Sequence, residues 1–113
     1  MKLLIVDDET EIREGLKNTI DWSQIGITEV ITAKNGIEAI KVFEKSLPNI
    51  VLTDIRMPGM DGLELSDYIL NMYPKTKIIL LSGYADFSFA KQAISLGVEE
   101  YFIKPVNIDE LLQ

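Results

Sequence analysis

Several polar side chains that could do chemistry directly follow short apolar runs of the sequence. They are Asp7 and Asp8, then Asp54, Ser82 and Lys104. Carboxylates that converge repel one another unless a cation neutralises them. Mg2+ binds through oxygen ligands and commonly bridges one or two carboxylates to a phosphate oxygen. We therefore expect these acidic residues to form a site for Mg2+ or Mn2+, with Lys104 compensating part of the remaining charge.

Asp54 could also act as a nucleophile. A carboxylate that attacks a phosphoryl donor becomes an aspartyl phosphate. The cation, Lys104 and the Ser82 hydroxyl would then stabilise the charge on the transferred oxygens. Because the sequence lacks a glycine-rich phosphate loop, ATP is not the expected donor. We expect a phosphoprotein or a small acyl phosphate instead.

The elements that must position these residues alternate along the chain. Short apolar runs predict strands at Leu3–Val6, Glu29–Ala33, Ile50–Thr53, Lys77–Leu81 and Tyr101–Ile103. An amphipathic stretch follows each run, which predicts a parallel sheet with helices on both faces and right-handed crossovers. In such sheets, ligands bind at the carboxyl ends of the strands. The polar residues named above fall at those ends.

The sequence also predicts which side chains form the apolar face of each helix and which residues begin or end some of the helices. The apolar faces consist of Ile12, Leu16 and Ile20; Ile37, Ile40 and Phe43; Leu65, Ile69 and Met72; and Ala90, Ala93 and Ile94. Asn35 with Glu38 and Asp61 with Glu64 are spaced as helix-capping pairs. Gly97 suits a position just after a helix. The last helix begins near Asn107 and would be cut short at Gln113, so we expect further chain beyond it.

Composition excludes several classes of function. The 113 residues suit a single domain, 1–113. The chain has neither cysteine nor histidine, which excludes thiolate zinc sites, thiol nucleophiles and histidine bases. The net charge of −7, from 11 basic and 18 acidic residues, argues against direct nucleic-acid binding. No signal peptide or membrane span is evident, so we expect a cytoplasmic protein with no membrane partner.

Each candidate also has a purely structural interpretation. Asp8 could cap the first helix, Asp54 could be a turn residue, and Ser82 with Gly83 could form another turn. Lys104-Pro105 could be an ordinary strand exit. We favour function because chemically matched groups occupy equivalent strand ends, a coincidence that turn chemistry alone does not explain.

Together, the motifs resemble the receiver family of bacterial two-component response regulators over essentially the whole chain. The resemblance rests on Leu4-Ile5-Val6-Asp7-Asp8-Glu9, Asp54-Ile55-Arg56-Met57-Pro58-Gly59-Met60-Asp61-Gly62, Leu81-Ser82-Gly83-Tyr84 and Tyr101-Phe102-Ile103-Lys104-Pro105. It implies a flavodoxin-like, doubly wound (βα)5 fold with strand order 2-1-3-4-5 and a truncated last helix.

The resemblance assigns roles to individual residues. Asp54 corresponds to the phosphoacceptor, and Asp7, Asp8 and the backbone carbonyl of Arg56 complete the metal site. The remaining positions match a switch that responds to the phosphoryl group. They are the hydroxyl of Ser82, the aromatic ring of Tyr101, the lysine Lys104 and its cis-proline partner Pro105. The side chains of Arg56 and Tyr84 occupy positions that tune the lifetime of the phosphoryl group.

The implied function is phosphorelay signalling. A sensor histidine kinase would phosphorylate Asp54, and the surface of the fourth helix, fifth strand and fifth helix would change to control an output or a homodimer. We expect a phosphoacceptor that assists its own phosphorylation and dephosphorylation, not an enzyme. The alternatives are a stand-alone receiver acting through protein contacts, an unphosphorylated docking module, and a Mg2+-dependent aspartyl-phosphate phosphatase. Arg56 counts against the phosphatase, since such enzymes carry a second aspartate there.

The stretch Asp21–Ile27 is a long apolar connection, which we interpret as a hydrophobic lid over the edge of the core. Together with Ser82-Gly83-Tyr84-Ala85-Asp86-Phe87, it resembles receivers fused to AraC-type helix-turn-helix output domains. Transcription regulation is the expected output. DNA would then be contacted only through an output domain beyond residue 113, which is consistent with the acidic charge of this chain.

Overall fold

The computed structural model describes residues 1–82 and 87–103, of which 87–90, 101 and 103 are described by their backbone alone. Strands and helices alternate as the sequence predicts. The elements are β1 (Lys2–Val6), α1 (Thr10–Thr19), β2 (Glu29–Ala33), α2 (Gly36–Ser46), β3 (Ile50–Asp54), α3 (Gly62–Met72), β4 (Lys77–Ser82), α4 (Phe87–Leu96) and β5 (Glu100–Ile103). A 3-10 turn, Trp22–Ile25, lies between α1 and β2.

The strands form one five-stranded sheet in the order β2-β1-β3-β4-β5. Every neighbouring pair is parallel. The predicted flavodoxin-like class and strand order are therefore confirmed, whereas the predicted fifth helix lies outside the described residues. Because all strands run the same way, their carboxyl ends meet at one edge, and their amino ends meet at the other.

The core lies on both faces of the sheet, because β1 is buried on both sides. Leu4 and Val6 pack in the cluster that α2, α3 and α4 cover, around Phe43. Leu3 and Ile5 pack in a second cluster on the opposite face, beneath α1. A continuous apolar run is the pattern that a strand buried on two faces requires.

The predicted lid is confirmed in the second cluster. Trp22 and Ile27 are 7% and 3% exposed, and both pack against the sheet with Ile20. The Trp22 indole Nε1 donates to the Leu16 carbonyl at 3.0 Å, which ties the 3-10 turn to the end of α1.

Three helix-face predictions were wrong. Ile37, Met72 and Ile94 are 60%, 59% and 77% exposed. An α-helix turns about 100° per residue, so Ile37 and Ile94 point away from the faces centred on the buried side chains of Phe43 and Ala93. Met72 is the last residue of α3, and the last buried residue of that helix is Ile69.

Both capping predictions are confirmed. The Asn35 Oδ1 accepts from the Glu38 amide at 2.8 Å. Asp61 and Glu64 form a reciprocal capping box, with distances of 2.8 Å and 3.2 Å between each side-chain oxygen and the other residue's amide. Gly97 follows α4 with φ of 89°, as expected of a residue that ends a helix. No helix among the described residues is long and apolar enough to span a membrane.

Candidate functional site

Two buried carboxylates emerge side by side at the carboxyl edge of the sheet. Val6 pairs with Thr53, so Asp7 and Asp54 follow paired positions of adjacent strands. Asp7 is 1% exposed and Asp54 is 6% exposed. The structure therefore brings together the first and third acidic positions that the sequence analysis predicted, and it withdraws both from bulk water.

The turn after β1 gathers further carboxylates. Ligand oxygens of Asp7, Asp8 and Glu9 all lie within 4.8 Å of one another. The Asp7 Oδ1 also accepts from the Glu9 amide at 2.9 Å, whereas the Asp8 and Glu9 side chains are exposed. Sequence analysis named Asp7 and Asp8 but not Glu9, although Glu9 continues the same acidic run. The alternative that Asp8 caps α1 is not supported, because Glu9 occupies the N-cap and makes no side-chain cap hydrogen bond.

Arg13 supports this acidic turn, and the sequence analysis missed it. Its Nη1 donates to the Asp7 carbonyl at 2.8 Å, and its Nη2 donates to the Thr10 Oγ1 at 3.4 Å. The guanidinium thus places a permanent positive charge on the backbone of the turn. The signal that could have revealed it is its position one helical turn after Glu9, where α1 brings it back towards the strand end.

The environment of Asp54 is tightly packed. The Asp54 Oδ1 accepts from the Ile55 amide at 3.0 Å, and the Thr53 hydroxyl donates to the Asp54 carbonyl at 3.0 Å. The first residue of α3, Gly62, approaches so closely that an added Cβ would lie 2.2 Å from the Asp54 carbonyl oxygen. Only glycine fits there. The start of α3 is consequently locked onto the end of β3.

The loop between β3 and α3 directly follows Asp54 in the chain. Residues 55–59 and Asp61 line a cavity of about 430 Å3, in which Arg56 is exposed and Met57 is buried. Met60 packs against Gly36 at the start of α2, where an added Cβ would lie 2.8 Å from the Met60 Cβ. Met57 and Met60 therefore both contribute to packing around this loop.

Ser82 reaches the same edge from β4. It is 1% exposed, and its strand neighbours β3 through the pairing of Asp54 with Leu81. Tyr101 lies on β5 and pairs with Leu80, though only its backbone is described. Tyr84, Lys104 and Pro105 lie outside the described residues, so their predicted roles stay predictions.

The donor chemistry of this edge fits a hard divalent cation. Its grouped side chains offer carboxylate oxygens and no nitrogen or sulfur ligand, which is the set that Mg2+ prefers. Carboxylate oxygens within 4.8 Å of one another repel, and a bound cation would offset that repulsion. Asp7 and Asp8 would hold such a cation, and Glu9 lies within reach of both.

Sequence comparison places the chain among known proteins. A family model described as the response regulator receiver domain matches residues 3–113. The uncharacterized transcriptional regulatory protein YesN of Bacillus subtilis is 40% identical over 111 residues, which are 98% of this chain and 30% of YesN. The transcriptional regulatory protein HptR of Staphylococcus aureus is 40% identical over 110 residues, or 97% of this chain and 43% of HptR. The chain thus spans less than half the length of these curated relatives.

Structural comparison agrees. A two component transcriptional regulator AraC from Clostridium phytofermentans is 39% identical, with a TM-score of 0.86 over 99% of this chain and 86% of that chain. The REC domain of AraT, a response regulator from Geobacillus stearothermophilus, is 37% identical, with a TM-score of 0.88 over 98% and 88% of the two chains. These likenesses agree with the resemblance to AraC-type regulators found in the sequence. The chain belongs to the response regulator receiver domain family.

Proposed function

We propose that Asp54 accepts a phosphoryl group from a sensor histidine kinase in a Mg2+-dependent reaction. The observation that carries this proposal is the placement of two buried carboxylates, Asp7 and Asp54, on adjacent strand ends beside the acidic turn. A carboxylate can be the nucleophile of phosphoryl transfer, in which it becomes the acceptor and forms an aspartyl phosphate.

The described residues divide the work of the reaction. The Ile55 amide holds the Asp54 Oδ1 at 3.0 Å, which limits rotation of the carboxylate and aligns it for attack on phosphorus. Asp7 and Asp8 would hold the cation, with Asp54 and the Arg56 carbonyl as further ligands. Bound Mg2+ would supply the positive charge that offsets the carboxylates and the phosphoryl oxygens. Arg13 keeps the backbone of the acidic turn in place.

The response to phosphorylation would begin at Ser82 and Lys104. Phosphorylation adds negative charge and strong acceptor oxygens, which attract a hydroxyl and an ammonium group. In this proposal, Ser82 turns towards the phosphoryl group, Tyr101 fills the space it leaves, and Pro105 keeps Lys104 in position. The equilibrium between two conformations of the protein would then shift. In the favoured conformation, the surface formed by α4, β5 and the predicted fifth helix would be rearranged.

The proposed output is transcription regulation or dimerisation. YesN and HptR are named transcriptional regulatory proteins, and this chain matches 30% and 43% of their lengths. A DNA-binding segment would therefore correspond to the part of those relatives that this chain does not span. The chain itself would act as the switch and would not turn over a separate substrate.

Intact-mass measurement after incubation with acetyl phosphate and Mg2+ tests the phosphoacceptor. We expect the wild-type chain to gain the mass of one phosphoryl group and Asp54→Asn to gain none. Asp67→Asn is the matched control, because Asp67 is an exposed carboxylate on α3, and it should gain the mass as the wild type does. Equal phosphorylation of Asp54→Asn would contradict the proposal. Sustained hydrolysis of a phosphomonoester would favour the phosphatase alternative instead.

A further inference from the structure

We propose that a groove at the amino edge of the sheet binds an acidic peptide segment that carries bulky apolar side chains. The groove has a volume of about 580 Å3 and lies between the residues that follow α2 and α3 and the first residues of β3 and β4. It is at the opposite edge of the sheet from Asp54. The proposal therefore does not depend on phosphoryl transfer.

The lining of the groove is strongly apolar. The rings of Phe43 and Tyr73 lie together in it, with their centroids 4.9 Å apart and their planes inclined by 51°. Leu47 and Met72 line the same groove and are 56% and 59% exposed. Large apolar side chains that cluster around one concave surface indicate a binding site more often than isolated ones do.

Leu47 adopts a conformation that its residue type disfavours. It follows α2 with φ of 48° and ψ of 62°, in the left-handed region where glycine is the usual residue. A leucine there bears a steric cost, and its side chain gains little burial in return because it is more than half exposed. An observed backbone outlier that presents an apolar side chain to solvent supports a functional role for that side chain.

The charges around the groove define the partner. Lys75 and Lys77 line it and are exposed, whereas the whole chain carries a net charge of −7. Lys2 adds a further positive charge nearby, since its Nζ donates to the carbonyl of Ser46, the residue before Leu47, at 3.2 Å. A basic rim on an acidic protein attracts carboxylates locally and repels cationic partners. An apolar segment flanked by Asp or Glu matches both the lining and the rim.

Titration with synthetic peptides tests the proposal. The probe is an amphipathic peptide of leucine and glutamate, added to the isotope-labelled chain while backbone-amide chemical shifts are recorded. We expect shifts around Leu47, Tyr73 and Lys77, none around Asp54, and weaker binding at higher salt. Versions with lysine in place of glutamate, or serine in place of leucine, should not bind. Equal binding of the lysine version would overturn the proposal.

Leu47→Gly separates binding from folding. Glycine relieves the backbone at this position, so the variant should melt at a higher temperature than the wild type. It also loses the apolar side chain, so the affinity for the acidic peptide should fall by about tenfold. An unchanged affinity would overturn the proposal. Because the variant is expected to be more stable than the wild type, a lower affinity could not be attributed to unfolding.

A charge-reversal pair tests the rim. Lys75→Glu with Lys77→Glu should abolish binding, whereas Lys17→Glu with Lys91→Glu makes the same change in net charge at exposed sites on α1 and α4 and should leave it unchanged. Equal losses in the two pairs would overturn the proposal. A second outcome would also overturn it: no peptide binds, and the chain forms a concentration-dependent dimer that Leu47→Gly dissociates. A second copy of the chain would then occupy the groove.

Discussion

The two edges of the sheet have opposite chemistry. The carboxyl edge presents Asp7 and Asp54, which are almost fully buried, beside the exposed carboxylate of Asp8. The amino edge presents an open apolar groove with Lys75 and Lys77 in its lining. The same five strands therefore support an anionic site suited to a cation at one edge and a basic-rimmed apolar surface at the other.

The two edges also differ in how they use backbone geometry. At the carboxyl edge, Gly36 and Gly62 occur where a side chain would collide with Met60 or with the Asp54 carbonyl. At the amino edge, Leu47 stands where glycine would be easier. Close packing requires glycine near Asp54. At position 47, by contrast, leucine is present although the left-handed backbone conformation there favours glycine. The contrast teaches that a rigid site and an exposed contact surface impose different constraints on the same fold.

Replacement of Gly62 should have the largest effect on the carboxyl edge. In Gly62→Ala the new Cβ would lie 2.2 Å from the Asp54 carbonyl oxygen, so α3 or β3 must move. We expect the free energy of unfolding to fall by at least about 2 kcal/mol, measured by urea unfolding. Gly15→Ala is the matched control, because nothing lies within 4 Å of its added Cβ on α1. Its free energy of unfolding should rise by up to about 1 kcal/mol. Equal effects would show that the carboxyl edge is not tightly packed.

Removal of the Arg13 guanidinium should have an intermediate effect confined to the same edge. Arg13→Met loses the donors to the Asp7 carbonyl and the Thr10 hydroxyl, so the free energy of unfolding should fall by about 1 kcal/mol. Hydrogen exchange should accelerate at the Glu9 amide. Lys17→Met removes a positive charge from the exposed end of α1 and should change both quantities less. If Arg13→Met also changed peptide binding at the amino edge, the two edges would not be independent.

The smallest effect concerns the exposed faces of α2 and α3, between the two edges. The negative charge of Glu44 raises the pKa of Tyr68 above 10.0, and the Tyr68 hydroxyl donates to the Glu44 Oε1 at 3.4 Å. Because the folded-state pKa is the higher one, this contact stabilises the fold below pH 10.0, and the contribution is lost as pH rises through the folded-state pKa.

Ultraviolet absorbance titration of the phenolates measures this shift. Glu44→Gln should lower the pKa of Tyr68 towards its ordinary value, and Tyr68→Phe identifies the signal that belongs to it. Phosphorylation of Asp54 or peptide binding at the groove should leave the Tyr68 pKa in place. A change in the Tyr68 pKa on phosphorylation of Asp54 or on peptide binding would show that α2 and α3 couple the two edges.

Local patterns in the sequence predicted most of the fold. Buried strands such as Leu3–Val6 are continuous apolar runs, and Asn35 and Asp61 cap helices through contacts three residues away. Ile37 and Ile94 were wrongly placed because apolar spacing alone does not show which side of a helix meets the sheet. Spacing describes a helix as an isolated object, whereas burial depends on its neighbours.

The sequence by itself determined the order of strands and helices, the helix caps and the residue types at the strand ends, because each depends on neighbours within about one helical turn or on strand periodicity. Only the tertiary structure decided which groups meet. The pairing of Val6 with Thr53 sets Asp7 beside Asp54, and the fold of α1 returns Arg13 to the Asp7 carbonyl. The groove between Leu47 and Met72 likewise arises from segments far apart in the chain. Contacts of this kind depend on packing across the sheet, for which no short stretch of sequence carries the information.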